Sequence, residues 1–354
     1  MNFEEEIKEL ILITAKEGAS DLHINAGKHP ILRISGGLIP LLNKPVISKE
    51  IAEGLIFALL TKEQKEKFLK NKELDFSYNF EDKVRFRANI YQEKGYFAAS
   101  LRLIPLEIRT LEQLNLPASL KNFVKREQGF FLVVGPTGHG KSTTLASLVD
   151  TINHEDAKHI VTIEDPIEYL FQQDKSIISQ REVGQDTLSF SNALRAMFRE
   201  DVDVAMVGEM RDKDTISAAV TAAETGHLIF SSLHTNNASQ TIFRIIDAFD
   251  GEQQSQIRSQ LSGSLLGIFS QRLIPRVGGG LVPAYELLIA NTAIANLIRE
   301  DRVYEIDIVV ETSRELGMVS LNQSLLELVT KGDITMENAL LYSYNPKALA
   351  GMSS

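Results

Sequence analysis

The stretch that most constrains the fold is a glycine-rich turn between an apolar run and a predicted helix. Residues 135–142 read GPTGHGKS and fit the pattern G-x-x-x-x-G-K-[ST] without a mismatch. The apolar residues 130–134 predict a buried strand, and residues 141–152 predict a helix. Glycines allow backbone conformations closed to other residues, so the N–H groups of the turn can point at a phosphate, and the helix directs its positive end to the same place. The turn is therefore predicted to bind the phosphates of a nucleotide.

The side chains of this loop have separate expected roles. Lys141 would place its charge on the β- and γ-phosphates, and the Ser142 hydroxyl would bind Mg²⁺. The alternative is a glycine-rich turn that contains a lysine by chance, and the strand and helix on either side argue against it. We therefore expect ATP and Mg²⁺ as ligands. The residues expected to contact the nucleotide are Gly135, Pro136, Thr137, Gly138, His139, Gly140, Lys141, Ser142 and Thr143.

Beyond the turn, apolar runs alternate with predicted helices. This alternation predicts a mostly parallel sheet with helices on both faces, whose ligands bind at the carboxyl ends of the strands. The predicted strands are 130–134, 159–163, 204–207 and 227–233, and the predicted helices between them are 141–152, 189–199 and 214–224. After residue 233 we predict helices over 238–249, 252–273, 293–300, 320–331 and 335–342, with a last strand over 281–290. The fold class is therefore α/β in this part of the chain.

Acidic residues follow two of these strands, where the chemistry is expected. Three carboxylates lie within Glu164–Tyr169 (EDPIEY), directly after the second strand. In a nucleotide hydrolase a carboxylate polarises the attacking water, so this turn is a candidate for the catalytic base, and a solvated acidic turn is the alternative. The third strand, 204–207, leads to Glu209, the expected metal-binding carboxylate of a Walker B segment.

Two histidines flank the fourth strand. His227 opens it, and His234 follows it. A lone histidine is more often a structural hydrogen-bonding group than a catalytic one, and that is our expectation for His23. Because His227 and His234 bracket a strand directed at the loop, we expect both to sense the γ-phosphate, His227 as a nucleotide-binding residue and His234 as a catalytic one.

Residues 1–105 are predicted to form a separate, small α+β domain. Residues 84–90 alternate strictly, with apolar side chains on one face and Arg85, Arg87 and Asn89 on the other, and Arg102 lies on the next predicted strand. The result is a sheet face lined with arginine, which is either a solvated surface or a phosphate-binding one. We predict that the rest of the chain consists of a linker at 106–117, an ATPase core at 118–275 and a mainly helical C-terminal region at 276–354.

Composition excludes several classes of protein. Lys and Arg number 37 against 47 Asp and Glu, a net charge of −10 that argues against a protein devoted to nucleic-acid binding. The chain has no cysteine, which rules out disulfides and thiolate zinc sites. It has no apolar run of about 18 residues to span a membrane, and its acidic start differs from the basic start of a secretory signal. We therefore expect a cytoplasmic protein without a nucleic-acid partner.

Together these motifs resemble those of the secretion ATPase superfamily of type II secretion and type IV pili, and in particular its pilus retraction motors. The resemblance runs from near residue 5 to near residue 345. The segments that carry it are Gly135–Ser142 (Walker A), Glu164–Tyr169 (aspartate box), Gly208–Asp212 (Walker B), Thr225–His227 and Leu233–Asn236 (histidine box), Arg181–Phe190 and Ala19–His23.

The resemblance implies a PAS-like N-terminal domain, a RecA-like core and a homohexameric ring that binds nucleotide between one subunit's two domains and its neighbour. It implies that Glu168 is the general base, that Glu209 serves the metal, and that Arg87 and Arg102 reach the phosphates, with Arg85 left open. It further implies ATP hydrolysis at the inner face of the cytoplasmic membrane. There a membrane platform protein would couple the ring to pilin removal, pilus retraction and twitching motility.

Two positions depart from the family pattern. His139 stands where the loop usually has a small residue, and Ala295 stands where the retraction motif Ala-Ile-Arg has its arginine. The second departure keeps an accessory retraction ATPase open as an alternative. A nucleic-acid translocase on the same core and a catalytically weak regulatory paralogue are further alternatives. The lack of cysteine and the short N-terminal region argue against the extension ATPases, which carry a cysteine-ligated zinc insertion.

Overall fold

The chain forms two compact units. The computed structural model describes residues 2–34, 36–80, 84–104 and 107–352. The first unit consists of Met1–Glu107 with Pro166–Leu170, and the second of Ile108–Asp165 with Phe171–Ser354. Pro166–Leu170 thus belong to the first unit, although they lie within the predicted core at 118–275. The predicted boundary between residues 105 and 106 lies outside the described residues.

The first unit is built on an antiparallel sheet. Its elements are α1 (Phe3–Lys16), β1 (Asp21–Asn25), β2 (Ile31–Ile34), β3 (Gly37–Pro40), α2 (Lys49–Ala58), α3 (Lys62–Asn71), β4 (Glu73–Phe80), β5 (Val84–Glu93) and β6 (Tyr96–Ile104). Among the described residues its strands lie in the order β3-β2-β1-β6-β5-β4, each antiparallel to its neighbours. Apolar residues of all three helices share one core with the sheet.

The alternation predicted over residues 84–90 is present in β5. Phe86, Ala88 and Ile90 are buried in the core of the unit. On the other face, Arg87 lies directly across from Arg102 of β6. The two arginines therefore share one face of the sheet, as the alternation predicts.

The second unit is an α/β fold around a larger sheet. Its elements are α4 (Lys121–Val124), β7 (Gly129–Val134), α5 (Lys141–Glu155), β8 (His159–Glu164), β9 (Ile177–Glu182), α6 (Phe190–Met197), β10 (Val204–Val207), α7 (Lys213–Glu224), β11 (Leu228–Leu233), α8 (Ala238–Asp247), α9 (Gly251–Ser264), β12 (Leu265–Pro275), β13 (Leu281–Ile289), α10 (Thr292–Arg299), α11 (Ile306–Thr312), α12 (Leu321–Thr330), α13 (Met336–Tyr342) and α14 (Pro346–Met352). Within the described ranges its strands lie in the order β13-β12-β7-β11-β10-β8-β9. All neighbouring pairs are parallel except β12 with β13. The predicted mostly parallel sheet is confirmed.

The central strand β7 is buried over its whole length, as a parallel strand covered on both faces must be. Phe130, Leu132 and Val134 face one hydrophobic cluster, and Phe131 and Val133 face the other. Helices on both faces of the sheet supply the rest of these clusters, so the sheet lies between two layers. No helix in the described part of the chain is both long and apolar enough to cross a membrane.

The helix predicted over 252–273 is wrong in its second half. α9 ends at Ser264, and residues 265–275 form β12, which lies between β7 and β13. A strand buried on both faces is an apolar run, and periodicity alone does not distinguish such a run from a buried helix. Position 267 of this strand has room only for glycine, because a Cβ there would come within 2.9 Å of the Phe123 ring. The edge strand β9 was not predicted, because its sequence IISQRE is half polar.

Candidate nucleotide-binding site

The phosphate loop, residues 135–142, is closed against β12. It leaves the carboxyl end of β7 and enters α5. Gly135 has φ 144°, and a side chain on it would collide with the carbonyl oxygen of Gln271. Gly140 has φ 83°, and a side chain there would come within 2.8 Å of Gln271 Nε2. Gly135 therefore needs glycine for two reasons, the backbone conformation and the nearness of the β12 backbone, and Gly140 needs it for its backbone conformation.

Lys141 is buried at the start of α5, and its ammonium lies over the loop. Nζ donates to the Pro136 carbonyl at 3.0 Å and lies 3.4 Å from Nδ1 of His234. Ser142 and Thr143 follow in the first turn of α5 and are partly exposed. The structure thus places Lys141 against the loop and Ser142 in the first turn of α5, and their contacts with phosphate and Mg²⁺ stay predictions.

His234 and Glu209 meet beside the loop. They come from the carboxyl ends of β11 and β10, which are parallel neighbours. His234 Nδ1 lies 3.3 Å from the Thr137 hydroxyl, and its Nε2 lies 3.3 Å from Glu209 Oε2. Arg211 forms an ion pair with the other oxygen of Glu209 at 2.5 Å. The structure therefore brings together Lys141, His234 and Glu209, as predicted for residues at the ends of parallel strands.

The contacts of His234 define its tautomer. An ammonium group has only donors, so the nitrogen facing Lys141 acts as an acceptor. Nε2, on the other side of the ring, then donates to the Glu209 carboxylate. His234 accordingly links the phosphate loop to the Walker B carboxylate.

β12 supplies residues that the sequence prediction missed. Gln271 is buried, and its Oε1 accepts the Thr144 hydroxyl at 2.6 Å. The Leu273 N–H donates to Nδ1 of His139 at 2.9 Å. The histidine side chain is thus turned toward β12, which accounts for a large residue at a position where a small one is usual. Burial, with the charges of Arg272 and Lys141, holds the pKa of His139 below its ordinary value, so the ring is neutral near pH 7.

The loop that follows β11 is held from several sides. The Asn236 carbonyl accepts the Ser270 hydroxyl at 2.6 Å and also the Tyr344 hydroxyl. Its side-chain oxygen accepts from Arg272 at 2.8 Å. No sequence motif marks Ser270, Arg272 or Tyr344, and the only available signal was the change from apolar to polar residues at 270–272.

Glu286 of β13 anchors the start of α8. Its Oε1 accepts the Ala238 N–H at 2.8 Å. Burial raises the pKa of Glu286 to about 7, and the nearby carboxylates of Asp307 and Glu311 act in the same direction. This carboxyl group is therefore partly protonated near neutral pH.

Glu164, at the end of β8, and Glu168, in the turn that follows, differ in burial. Glu164 is buried, and its Oε1 accepts the Thr162 hydroxyl at 2.7 Å and lies 3.5 Å from Gln180 Nε2. Glu168 is exposed and belongs to the short segment Pro166–Leu170 of the first unit. Its assignment as general base stays a prediction.

His227 does not lie at the phosphate loop of its own chain. It immediately precedes β11, and its carbonyl accepts the Gly129 N–H at 3.0 Å at the start of β7. Seven residues of extended chain, about 20 Å, therefore separate it from the level of His234. Its Nδ1 lies 3.2 Å from the Ala222 carbonyl, and its ring contacts Phe198 edge-on. Within one chain His234 therefore lies at the loop and His227 does not, because the two ends of a parallel strand lie at opposite edges of the sheet. The nucleotide-binding role expected of His227 stays a prediction.

The arginines of the first unit form part of a charged row across its sheet. Arg102 donates to Asp21 at 2.9 Å, and Arg33 lies 3.9 Å from the same carboxylate. Burial alone would raise the pKa of Asp21, but hydrogen bonds from Ser20 and Arg102 hold it below its ordinary value. Arg87 is partly exposed next to Arg102, whereas Arg85 is buried. A phosphate-binding role for Arg87 and Arg102 stays a prediction.

Comparison with known proteins agrees with this site. A family model described as "Type II/IV secretion system protein" matches residues 3–280. The chain is 44% identical to the type IV pilus retractation ATPase PilT of Pseudomonas aeruginosa over 334 residues, which cover 94% of this chain and 97% of that relative. It is 42% identical to a twitching motility protein of Neisseria gonorrhoeae over 91% of this chain and 86% of that protein.

A solved structure is equally similar. The crystal structure of the pilus retraction motor PilT with bound ADP superposes with a TM-score of 0.91 and 46% identity, covering 99% of this chain and 100% of that chain. The matched regions include the phosphate loop, the Walker B strand and the loop that carries His234. The chain therefore belongs to the type II/IV secretion system protein family.

Proposed function

We propose that this protein is an ATP-hydrolysing motor that drives retraction of type IV pili. The observation that carries the proposal is the convergence of Lys141, His234 and Glu209 on the phosphate loop. It occurs in a chain that is similar over nearly its whole length to a relative described as a pilus retraction ATPase.

The chemistry at the loop follows from the positions of these groups. Lys141 neutralises the β- and γ-phosphates, and the loop N–H groups and the start of α5 bind their oxygens. Ser142 and Glu209 provide oxygen ligands of the kind that Mg²⁺ prefers, so these residues would hold the ion. Bound Mg²⁺ would offset the phosphate charge. His234 orients Glu209 and contacts Lys141, which makes it a sensor of the terminal phosphate.

Glu168 is our candidate for the general base that activates water. Glu164 is the alternative, but it is buried and already accepts a hydrogen bond from Thr162. Glu168→Gln should bind ATP normally and lose turnover by about 10²-fold or more, because proton transfer by a positioned side chain contributes that much. Glu164→Gln is the matched control, and a larger loss of turnover in that variant would reassign the base.

We further propose that the protein works as a homohexamer in which Arg87 and Arg102 contact the phosphates. Closing and opening around the nucleotide would then perform the mechanical work, since a few kcal/mol of differential affinity is enough to shift a two-state equilibrium. Arg87→Ala should slow hydrolysis while leaving the folded state intact. An unchanged rate would assign this arginine to the solvated surface of the sheet.

The expected partners are pilin subunits and a platform protein at the inner face of the cytoplasmic membrane. The missing arginine at Ala295 favours the accessory retraction ATPase as a second candidate. Arg299 lies one turn further along α10 on the same side and is exposed, so that face still carries a cation.

Deleting the gene separates these two functions. For a principal motor, pili should accumulate and twitching should stop, and a Lys141→Ala copy should not restore it. Twitching that persists at a reduced rate after deletion would support the accessory role, and unchanged twitching with an unchanged number of pili would contradict both.

A further inference from the structure

The C-terminal segment of the second unit contacts the loop that carries His234. Tyr344 lies between α13 and α14, and its hydroxyl donates to the Asn236 carbonyl. Arg272 donates to the same hydroxyl at 2.8 Å and lies 5.2 Å from the centre of the tyrosine ring. Asn236 is two residues beyond His234. A side chain from the end of the chain is therefore part of the support for the candidate site.

Most of the polar groups of Asn236 form hydrogen bonds. Its carbonyl has two acceptor positions, and Ser270 and Tyr344 occupy them. Its side-chain oxygen accepts from Arg272, and its backbone N–H donates to Gln240 at 3.3 Å. Because Ser270 and Arg272 belong to the rigid strand β12, Tyr344 is the member of this set that does not belong to the sheet or to α8.

Tyr344 is in turn fixed by α12. The flanking Ser343 hydroxyl donates to the Asn322 side chain at 2.6 Å, and the same asparagine donates to the Asn345 carbonyl at 3.2 Å. The segment 343–345 is therefore hydrogen-bonded to α12 on both sides of Tyr344.

We propose that Tyr344 is a positioning residue for hydrolysis. Its hydroxyl, together with Arg272, holds the Asn236 loop so that His234 faces Lys141 and Glu209. Through this contact the position of the C-terminal helices biases turnover at the phosphate loop. The proposal rests on the role given to His234 under the proposed function.

The test is Tyr344→Phe, which removes the hydroxyl and keeps the ring over Arg272. We expect kcat for ATP hydrolysis to fall about fivefold, the equivalent of one ordinary hydrogen bond, while KM for ATP stays within about twofold. Tyr342→Phe is the matched control, because it makes the same change two residues away in a side chain that packs against the apolar residues shared by β12, β13 and α12–α14. Equal kcat values for the two variants, both with unchanged thermal stability, would overturn the proposal.

A double-mutant cycle tests whether Tyr344 affects hydrolysis by positioning His234. If Tyr344 acts by positioning that histidine, Tyr344→Phe should change kcat by less than about 1.5-fold in a His234→Ala background. A full fivefold loss in that background would show that Tyr344 acts elsewhere and would overturn the proposal. If the role of His234 in the proposed function is itself wrong, the His234→Ala variant will hydrolyse ATP at the wild-type rate. This result is distinguishable from a failure of the proposal for Tyr344.

Discussion

His139 is the residue that ties the phosphate loop to β12 through its side chain. Although it lies in the phosphate loop, its ring accepts the N–H of Leu273 and faces β12. The loop is thereby connected to the same strand that contacts Thr144 of α5 through Gln271. We interpret the histidine side chain as a structural acceptor that fixes the loop. The contact of His139 with the nucleotide, which in this motif is expected through the backbone, stays a prediction.

Replacing His139 by leucine should destabilise the protein by about 1–2 kcal/mol, because the Leu273 N–H loses its acceptor. His139→Asn is the control, since its side-chain oxygen offers an acceptor near the position of Nδ1. Urea unfolding measures both free energies. If leucine and asparagine are equivalent, the hydrogen bond to Leu273 does not stabilise the loop.

The lowered pKa of His139 also predicts a dependence of stability on pH. Its ordinary value is 6.5, and the folded value is lower, so the unfolded chain takes up the proton first as pH falls. The stability contribution is therefore complete above about pH 6.5 and is lost progressively below it. His139→Asn removes the titrating group, so the wild type should lose more stability than this variant between pH 7 and pH 5. Parallel pH profiles for the two proteins would contradict this assignment.

At the scale of the element, β12 is the strand that organises the site. Its residues support two segments of the site: the Gln271 side chain contacts Thr144 of α5 and the Leu273 N–H contacts His139 of the phosphate loop, whereas Ser270 and Arg272 contact Asn236. The side chains of Gln271 and of its two neighbours can reach different segments because successive side chains of a strand point to opposite faces. The neighbouring strand β13 contributes Glu286 to the start of α8.

Glu286→Gln should stabilise the protein at alkaline pH. The folded pKa of about 7 lies above the ordinary value of 4.5, so the folded state holds a proton that the unfolded chain releases, and stability falls as pH rises from about 4.5 through 7. The full loss is on the order of 3 kcal/mol. Glutamine keeps an acceptor for the Ala238 N–H and carries no charge. The melting temperature of the variant should therefore exceed that of the wild type at pH 8 and match it near pH 5.

These strands show which parts of the fold and of the site could be predicted from the sequence. β7 and the phosphate loop were predictable, because a short apolar run and fixed glycine spacing are local signals. β12 was not, because its apolar residues fit a buried helix equally well, and so Gln271 and Arg272 were missed with it. The bounds of β11 were nearly correct, but the expectation for His227 did not allow for the fact that only the carboxyl end of a parallel strand lies at the ligand edge.

At the scale of the whole molecule, charge distinguishes a pilus motor from a nucleic-acid motor. The chain carries a net charge of −10, which opposes association with a polyanion. We therefore expect duplex or single-stranded DNA to change the ATPase rate by less than about twofold at moderate salt. Strong stimulation that weakens as salt is raised would instead support a translocase.

The division of the chain into two units has a consequence for synthesis on the ribosome. Pro166–Leu170 belong to the first unit but leave the ribosome about 60 residues after Glu107. At an elongation rate of roughly 5–20 residues per second, the last segment of the first unit is synthesised about 3 to 12 seconds after Glu107. By then β7, the phosphate loop and β8 have also been made, so the first unit cannot be completed before part of the second exists. A fragment that ends at Glu107 should for the same reason be less stable than the first unit in the complete chain.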